Sequence, residues 1–201
     1  MNSPAKKSAP NAADPSATRA DGTASNPVVE FDASVPLVHA SVNSMVGALL
    51  DPAGKEGATR LLLRLQRRTA GGRNADQADD WIDRMGGHLG ADVSRSIVSF
   101  HGSTIARSTR SFLEFFEDTL LRPGLAEDEF TRLRDETKAD LVERLDDDRA
   151  LARSFWNRKL FAGHPYARPP GGTLASLDRI NVADLRALYD KLFVRQNLRF
   201  A

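Results

Sequence analysis

Residues 88–105, HLGADVSRSIVSFHGSTI, constrain the fold more than any other stretch of the chain. They are rich in β-branched residues and alternate with a period of two, interrupted near Ser94-Arg95, so they predict two antiparallel strands joined by a turn. A helical segment, ADQADDWIDRM, ends just before them at Gly86-Gly87. Another follows directly: ARSTRSFLEFFEDTLLRP places Phe112, Phe115, Phe116, Leu120 and Leu121 on one helical face and stops at Pro123. A hairpin held between helices, apolar at every second position, has to bury one face beneath them.

The remaining segments extend that plan. VVEF (28–31) and VPLVHASVNSMV (35–46) read as two further strands, and LLDPAGKEG then breaks the alternation with Pro52, Gly54 and Gly57. GATRLLLRLQRR (57–68) reads as a helix with Leu61, Leu62 and Leu65 on a core face. Arg60, Leu63, Arg64 and Arg67 then fall in one stripe at i, i+3, i+4 and i+7, and that stripe is expected to face solvent, a partner or a cleft. Asn74 is a candidate cap for the helix that buries Trp81, Ile82 and Met85. AEDEFTRLRDETKADLVERLDDDRALARSFWNRKLF is a long charged helical run, or two helices meeting near Asp146-Asp147-Asp148. Its inward residues are expected to be Phe130, Leu133, Leu141, Leu145, Leu151, Phe155 and Leu160. AGHPYARPPGGT is a loop, in which Arg168 and the prolines are expected to fix a turn; a helix capped by Asn181 follows, and the last five residues begin another strand. The predicted class is α+β, an antiparallel-rich sheet covered on one face by helices as a two-layer sandwich.

Composition narrows the function classes. With 28 Lys+Arg against 27 Asp+Glu the formal net charge is +1, so the whole molecule carries no electrostatic footprint for nucleic acid or an anionic membrane. The absence of cysteine rules out disulfides and thiolate metal sites and leaves the compartment open. Residues 1–27, dominated by Ala, Ser, Pro, Asn and Asp without an aromatic residue, read as a disordered tail; they contain neither an apolar signal core nor an acid-poor transit pattern. No segment approaches a membrane span. As written the chain is expected to be soluble and cytoplasmic for want of a signal peptide, with a periplasmic location equally compatible.

The order of elements and five landmarks carry a resemblance: VPLVHASV, DPAGKEGATR, MGGHLGADVSRSIVSF, TLLRPGLAEDEFTRLRDE and GHPYARPPGGTLASL followed by LYDKLFVRQNL. Over residues 28–201 the chain resembles the N-terminal half-domain of the insulinase, pitrilysin and mitochondrial processing peptidase family, zinc metallopeptidases of the inverzincin type. The domain is expected to be truncated at its C-terminal end. The resemblance implies a His-x-x-Glu-His helix after the glycine, with two imidazoles on zinc and the glutamate as general base. Here those positions read Arg60, Leu63 and Arg64. A guanidinium has no lone pair to give and does not lose its proton in proteins, and leucine has no proton chemistry. The third ligand of the family falls on Asp140 by ungapped spacing, which also aligns the acidic segment 146–148; a shifted register would choose Glu143. An ion pair of Asp140 with Arg60 and Arg64 is then expected in place of the metal.

The resemblance further implies that the strand after Gly-Gly offers an edge to extended peptide, here Gly90, Ala91, Asp92, Val93 and Ser94, and β-augmentation needs only an unpaired edge. Of the four histidines, His39, His88, His101 and His164, none forms an i, i+4 or His-x-His pair, so no replacement zinc site is expected, although His88 and His101 can meet across the hairpin. The sequence therefore reads as a catalytically inactive homologue, without a cofactor. It is expected to act as a non-catalytic companion that pairs with a related zinc-containing subunit or a second half-domain, and to bind extended peptide. The alternatives are a metal-dependent endopeptidase using a non-standard site, or a truncated product without a function of its own.

Overall fold

The structure is a computed structural model that describes residues 27–32 and 34–201; the expected tail over 1–27 lies outside these residues except for Pro27. Four strands, β1 (Leu37–Ser44), β2 (His88–Val93), β3 (Val98–Ile105) and β4 (Leu198–Phe200), form one antiparallel sheet in the order β2-β3-β1-β4. The hairpin forms where the alternation placed it, with Gly90 opposite His101 and Val93 opposite Val98. β1 joins the other side of β3 in the register Leu37 to Ile105 through Ser44 to Val98, and β4 pairs with the end of β1. The strand expected over 28–31 is absent: that segment is exposed and gives one backbone bond, from Val28 N–H to the Phe200 carbonyl. A run of four residues ending at Phe31 has no ladder partner among the described residues.

Seven helices complete the described residues: α1 (Ala58–Arg68), α2 (Ala75–Arg84), α3 (Thr109–Leu121), α4 (Glu127–Glu143), α5 (Asp148–Leu160), α6 (Leu174–Leu177) and α7 (Val182–Leu192). Asn74 and Asn181 close capping boxes with Gln77 and Asp184, as their positions before apolar-periodic segments predict. The long charged run divides at 144–147, and Asp147 caps α5 by accepting from the Arg149 and Ala150 N–H groups. One sheet face supplies Val42, Leu89, Val98 and Phe100 to the core, where they meet the leucines of α1, the phenylalanines of α3, and Leu185, Leu188 and Leu192 of α7. On the opposite face stand His39, Ser41 and Asn43 of β1, His88, Gly90 and Asp92 of β2, and Ser99, His101 and Ser103 of β3, which the pairing register aligns. This is the two-layer α+β arrangement.

Several apolar residues expected inside lie outside. Trp81 is exposed because α2 buries only Ala78 and Ile82, with Met85 just past its end, and Arg73 lies over the indole at 5.0 Å. Leu121 ends α3 in solvent. The largest difference is α5, which buries no residue at all: Leu151, Phe155, Trp156 and Leu160 are exposed, as are Val142 and Leu145 before it. Helical spacing shows that such residues share a face; it does not show that this chain covers it.

Candidate functional site: a helix with its zinc positions replaced

The loop before α1 is built to deliver that helix at a fixed angle. Gly57 begins it at φ +98°, and a Cβ there would lie 3.0 Å from both the Gly171 carbonyl oxygen and Leu177 Cδ2, so only glycine fits without displacement. Asp51, 3% exposed, accepts from Gly57 N–H (2.8 Å), Thr59 N–H (2.8 Å) and Thr59 Oγ1 (2.6 Å), and so caps the helix from six residues upstream. Burial pushes its carboxyl above the ordinary range against those hydrogen bonds and the nearby charge of Arg168. Arg168 donates to the carbonyls of Asp51 (2.9 Å) and Leu49 (3.1 Å), which fastens the 164–172 loop over the start of α1. This is the turn-fixing role its surroundings predicted.

α1 packs against β2, α2, α3, α4 and α7, and is therefore the central helix of the domain rather than a surface one. That corrects the expected orientation of the stripe. Leu63 does not line an open cleft: it is 1% exposed and belongs to the core with Leu61, Leu62 and Leu65. The arginines escape burial because long aliphatic arms carry their charged ends outward from a covered backbone. Arg67 donates to the Leu89 carbonyl (2.9 Å) and to Asp79 (2.9 Å), and Arg68 reaches Glu129 (3.0 Å) and Glu136 (2.6 Å). The Arg68 hydrogen bond holds the Glu136 carboxyl below its ordinary range.

The expected exchange of zinc for an ion pair is half present. Arg64 donates to Asp140 (3.4 Å) and to Thr137 Oγ1 (2.9 Å), with Glu136 3.9 Å away, so α1 and α4 are bridged at the positions that the resemblance assigns to metal ligands. Arg60 forms no hydrogen bond or ion pair with any described residue. Replacing Asp140 with Asn is expected to lower stability by less than about 1 kcal/mol, read from the urea midpoint, because the pair is open to solvent and Thr137 keeps Arg64 in place.

These residues do not fit a zinc ion. Two guanidinium groups repel a divalent cation, Leu63 supplies no donor, and Asp140 is left as one carboxylate among cations. Among the described residues no group of three His, Cys, Asp or Glu side chains is placed to hold a metal. His88 and His101 do meet across the hairpin, with ring centres 6.1 Å apart and His101 Nδ1 3.6 Å from Asp92, on the polar face of the sheet and away from Leu63. His164 accepts from the Tyr166 N–H inside the 164–172 loop.

The proposed edge is shorter than its sequence motif. Gly90, Ala91, Asp92 and Val93 lie in β2, whose outer side has no strand neighbour among the described residues. Ser94 falls in the turn: its N–H donates to the Ile97 carbonyl and its own carbonyl accepts from Ala48. A contribution that sequence reasoning missed is Arg144, the residue directly after the shifted-register candidate Glu143, whose charge acts on Arg60. Nothing in the spacing of the zinc motif singles it out.

The family described as insulinase (peptidase family M16) matches residues 28–173 of this chain. An uncharacterized zinc protease of Mycobacterium leprae is 22% identical over 153 residues, 76% of this chain and 34% of its own length. The zinc protease PqqE of Helicobacter pylori is 25% identical over 172 residues, 82% of this chain and 38% of its own. Among solved structures, the peptidase M16 inactive domain from Pseudomonas fluorescens superposes with a TM-score of 0.79 at 18% identity, covering 84% of this chain and 41% of that one. Pitrilysin superposes with a TM-score of 0.73 at 18% identity, over 84% of this chain and 19% of its own. The chain thus spans little more than a third of the length of these curated relatives. With the fold, the order of its elements and the family match in agreement, the chain belongs to the insulinase family of peptidases, family M16.

Proposed function

We propose that this chain is a non-catalytic M16 half-domain, a companion that pairs with a zinc-containing subunit or a second half-domain and presents the β2 edge to extended peptide. The observation that carries the pairing is α5. A helix with four large apolar residues in solvent, Leu151, Phe155, Trp156 and Leu160, continues the exposed Val142 and Leu145 of the preceding segment, and it packs chiefly on 144–146 and 165–167. Exposed apolar surface of this kind, concentrated on aromatic residues, marks an interface. Arg149, Arg153, Arg158 and Lys159 against Asp148 make the rim basic, and Arg158 and Lys159 lie over the Phe155 ring at 5.6 and 5.7 Å, so the matching face is expected to be acidic. The loss of catalysis rests on the chemistry of Arg60, Leu63 and Arg64.

The test is co-elution with a zinc-bearing M16 subunit in size-exclusion chromatography, comparing the chain with Phe155→Asp/Trp156→Asp. Both residues are exposed, so the double variant keeps its circular dichroism and is expected to bind at least about tenfold more weakly. Equal co-elution of both proteins, or of neither, would remove α5 as the interface. Peptide cleavage by the purified chain that is abolished by a chelator would favour the endopeptidase alternative.

A further inference from the structure

The replaced zinc site contains more positive charge than its own neighbours use. Arg60 and Arg64 stand one turn apart on α1, and Arg144 approaches from the end of α4. A Cβ on Gly171 would lie 3.6 Å from Arg60 Nη1 and 3.9 Å from Arg144 Nη1, so the two guanidinium groups meet over the same glycine, whose missing side chain leaves room for them. Of the three, Arg64 has Thr137 and Asp140 as partners, while Arg60 is half-buried and forms no hydrogen bond or ion pair with a described residue. Burial, then the charges of Arg144 and Arg64, work against the Arg60 cation, and Asp140 partly offsets them. Partly covered cations that outnumber the carboxylates beside them complete their hydrogen bonding by taking an anion from outside.

We infer that Arg60 and Arg144, with Arg64 behind them, form a receptor for a carboxylate of a bound peptide over Gly171. The inference rests on the peptide-binding reading above and adds a substrate class to it. Charge decides between candidate anions. Three guanidinium groups stand against Asp140, with Glu136 3.9 Å from Arg64 already shared with Arg68, so one to two positive charges are left over. That suits a monoanionic carboxylate held by forked N–H donors better than a phosphate dianion. The helix that carries Arg60 and Arg64 also touches the edge strand. Arg67, seven residues beyond Arg60, touches the Leu89 carbonyl of β2, and seven residues of helix span roughly 10 Å. An extended peptide covers about that distance in three residues, at roughly 3.3 Å each. An acidic residue three or four positions from the strand-forming segment is therefore the preferred ligand, with a C-terminal carboxylate at that spacing as the other source of the same group. Asp140 and Arg144 are exposed, so the cluster opens to solvent on the α4 side.

Fluorescence anisotropy with labelled extended peptides tests this on the full chain. Four peptides suffice: a strand-forming segment followed at that spacing by Glu, by Gln, by a free C-terminus, or by an amidated one. The Glu peptide is expected to bind at least tenfold more tightly than the Gln peptide, and Arg144→Gln and Arg60→Gln are each expected to erase most of that ratio while leaving Gln-peptide binding unchanged. Arg144 is exposed, so its variant tests the idea without disturbing the core. A preference for the free over the amidated C-terminus instead would name the terminal carboxylate as the source. Equal binding of all four peptides would overturn the receptor while leaving peptide binding by the edge intact. Failure of every peptide to bind would overturn both, and inorganic phosphate displacing the Glu peptide at lower concentration than acetate would overturn the carboxylate assignment.

Discussion

Leu63→Glu is expected to cost about 3 kcal/mol or more of folding stability, a large share of what a domain of this size holds. The resemblance to the family puts its glutamate base at this position, and here the position is closed over. Leu63 is 1% exposed and sits in the core with Leu61, Leu62 and Leu65, while β2 and α4 pack on the same helix. A glutamate there loses the transfer free energy of the leucine and takes a carboxylate into an apolar surround, where it pays desolvation or protonates. Of the arginines in the same stripe, Arg64 and Arg67 already hold partners, so Arg60, three residues back, is the one available to the carboxylate, and a single ion pair does not offset the lost apolar burial. The informative comparison is Leu63→Ala, expected to cost about 2 to 4 kcal/mol through loss of transfer energy and a cavity. Urea denaturation of the two variants separates the effects. If Leu63→Glu proves no less stable than Leu63→Ala, the carboxylate has found a partner and the wall is open.

That expectation bears on why the site stays disarmed. Restoring both histidines and the glutamate would not re-create a metal centre at neutral cost, since the base position is now occupied by packing. Asp140, one methylene shorter than the glutamate ligand of the family, is committed to Arg64. The arginines contribute differently: their backbone positions are covered, but their ends reach carbonyls and carboxylates of β2, α2 and α4. The helix ties the domain together through arginine side chains, which cannot bind a metal.

Much of this was readable in the sequence because the signals were local. The hairpin at 88–105, the Asn74 and Asn181 caps and the break before Asp148 each follow from a few neighbouring residues and were found in place. Positions with a motif behind them, Arg60, Leu63, Arg64 and Asp140, came together because α1 and α4 pack as the family order implies. What spacing could not supply was the identity of the covering surface. Leu63 shares a stripe with three arginines and looked exposed, yet the arms of those arginines are long enough to leave the stripe buried. Phe155 and Leu160 lie at apolar spacing and looked buried, yet among the described residues no apolar layer covers them and both are exposed. Val28 to Phe31 have strand composition, but a strand needs a neighbour, and among the described residues the only backbone bond of this segment goes to Phe200. Arg144 and Gly171 belong to no motif, and the guanidinium cluster they complete depends on a loop and a helix end meeting across the fold.

Asp51→Ala is expected to lower stability by about 2 to 4 kcal/mol, although the residue touches neither the arginine cluster nor the β2 edge. Its two oxygens satisfy the Gly57 and Thr59 N–H groups and the Thr59 hydroxyl, and both of those residues are buried, so deletion strands three donors at the start of the central helix. Asp51→Asn is expected to cost less, since the amide oxygen can still accept from Thr59 while its NH2 group faces the Gly57 N–H without a bond. The pH dependence distinguishes a buried carboxylate from a paired one. Because burial raises the Asp51 carboxyl above its ordinary 3.8, the folded state binds the proton more tightly than the unfolded state. Its contribution to stability therefore grows as pH falls from the raised folded value toward 3.8, and is smallest above both values. Glu136 has the opposite sign: Arg68 lowers its carboxyl below 4.5, so the stability it supplies is present above 4.5 and lost as pH falls through the folded value. Urea midpoints of the unsubstituted chain and of Asp51→Asn, measured from pH 7 down to 4, are expected to move apart as the pH drops, because only the aspartate gains stability on protonation. A gap that narrows instead would mean that the three hydrogen bonds, and not burial, set the titration of Asp51, and that the cap which positions Arg60 and Arg64 keeps its charge below 3.8.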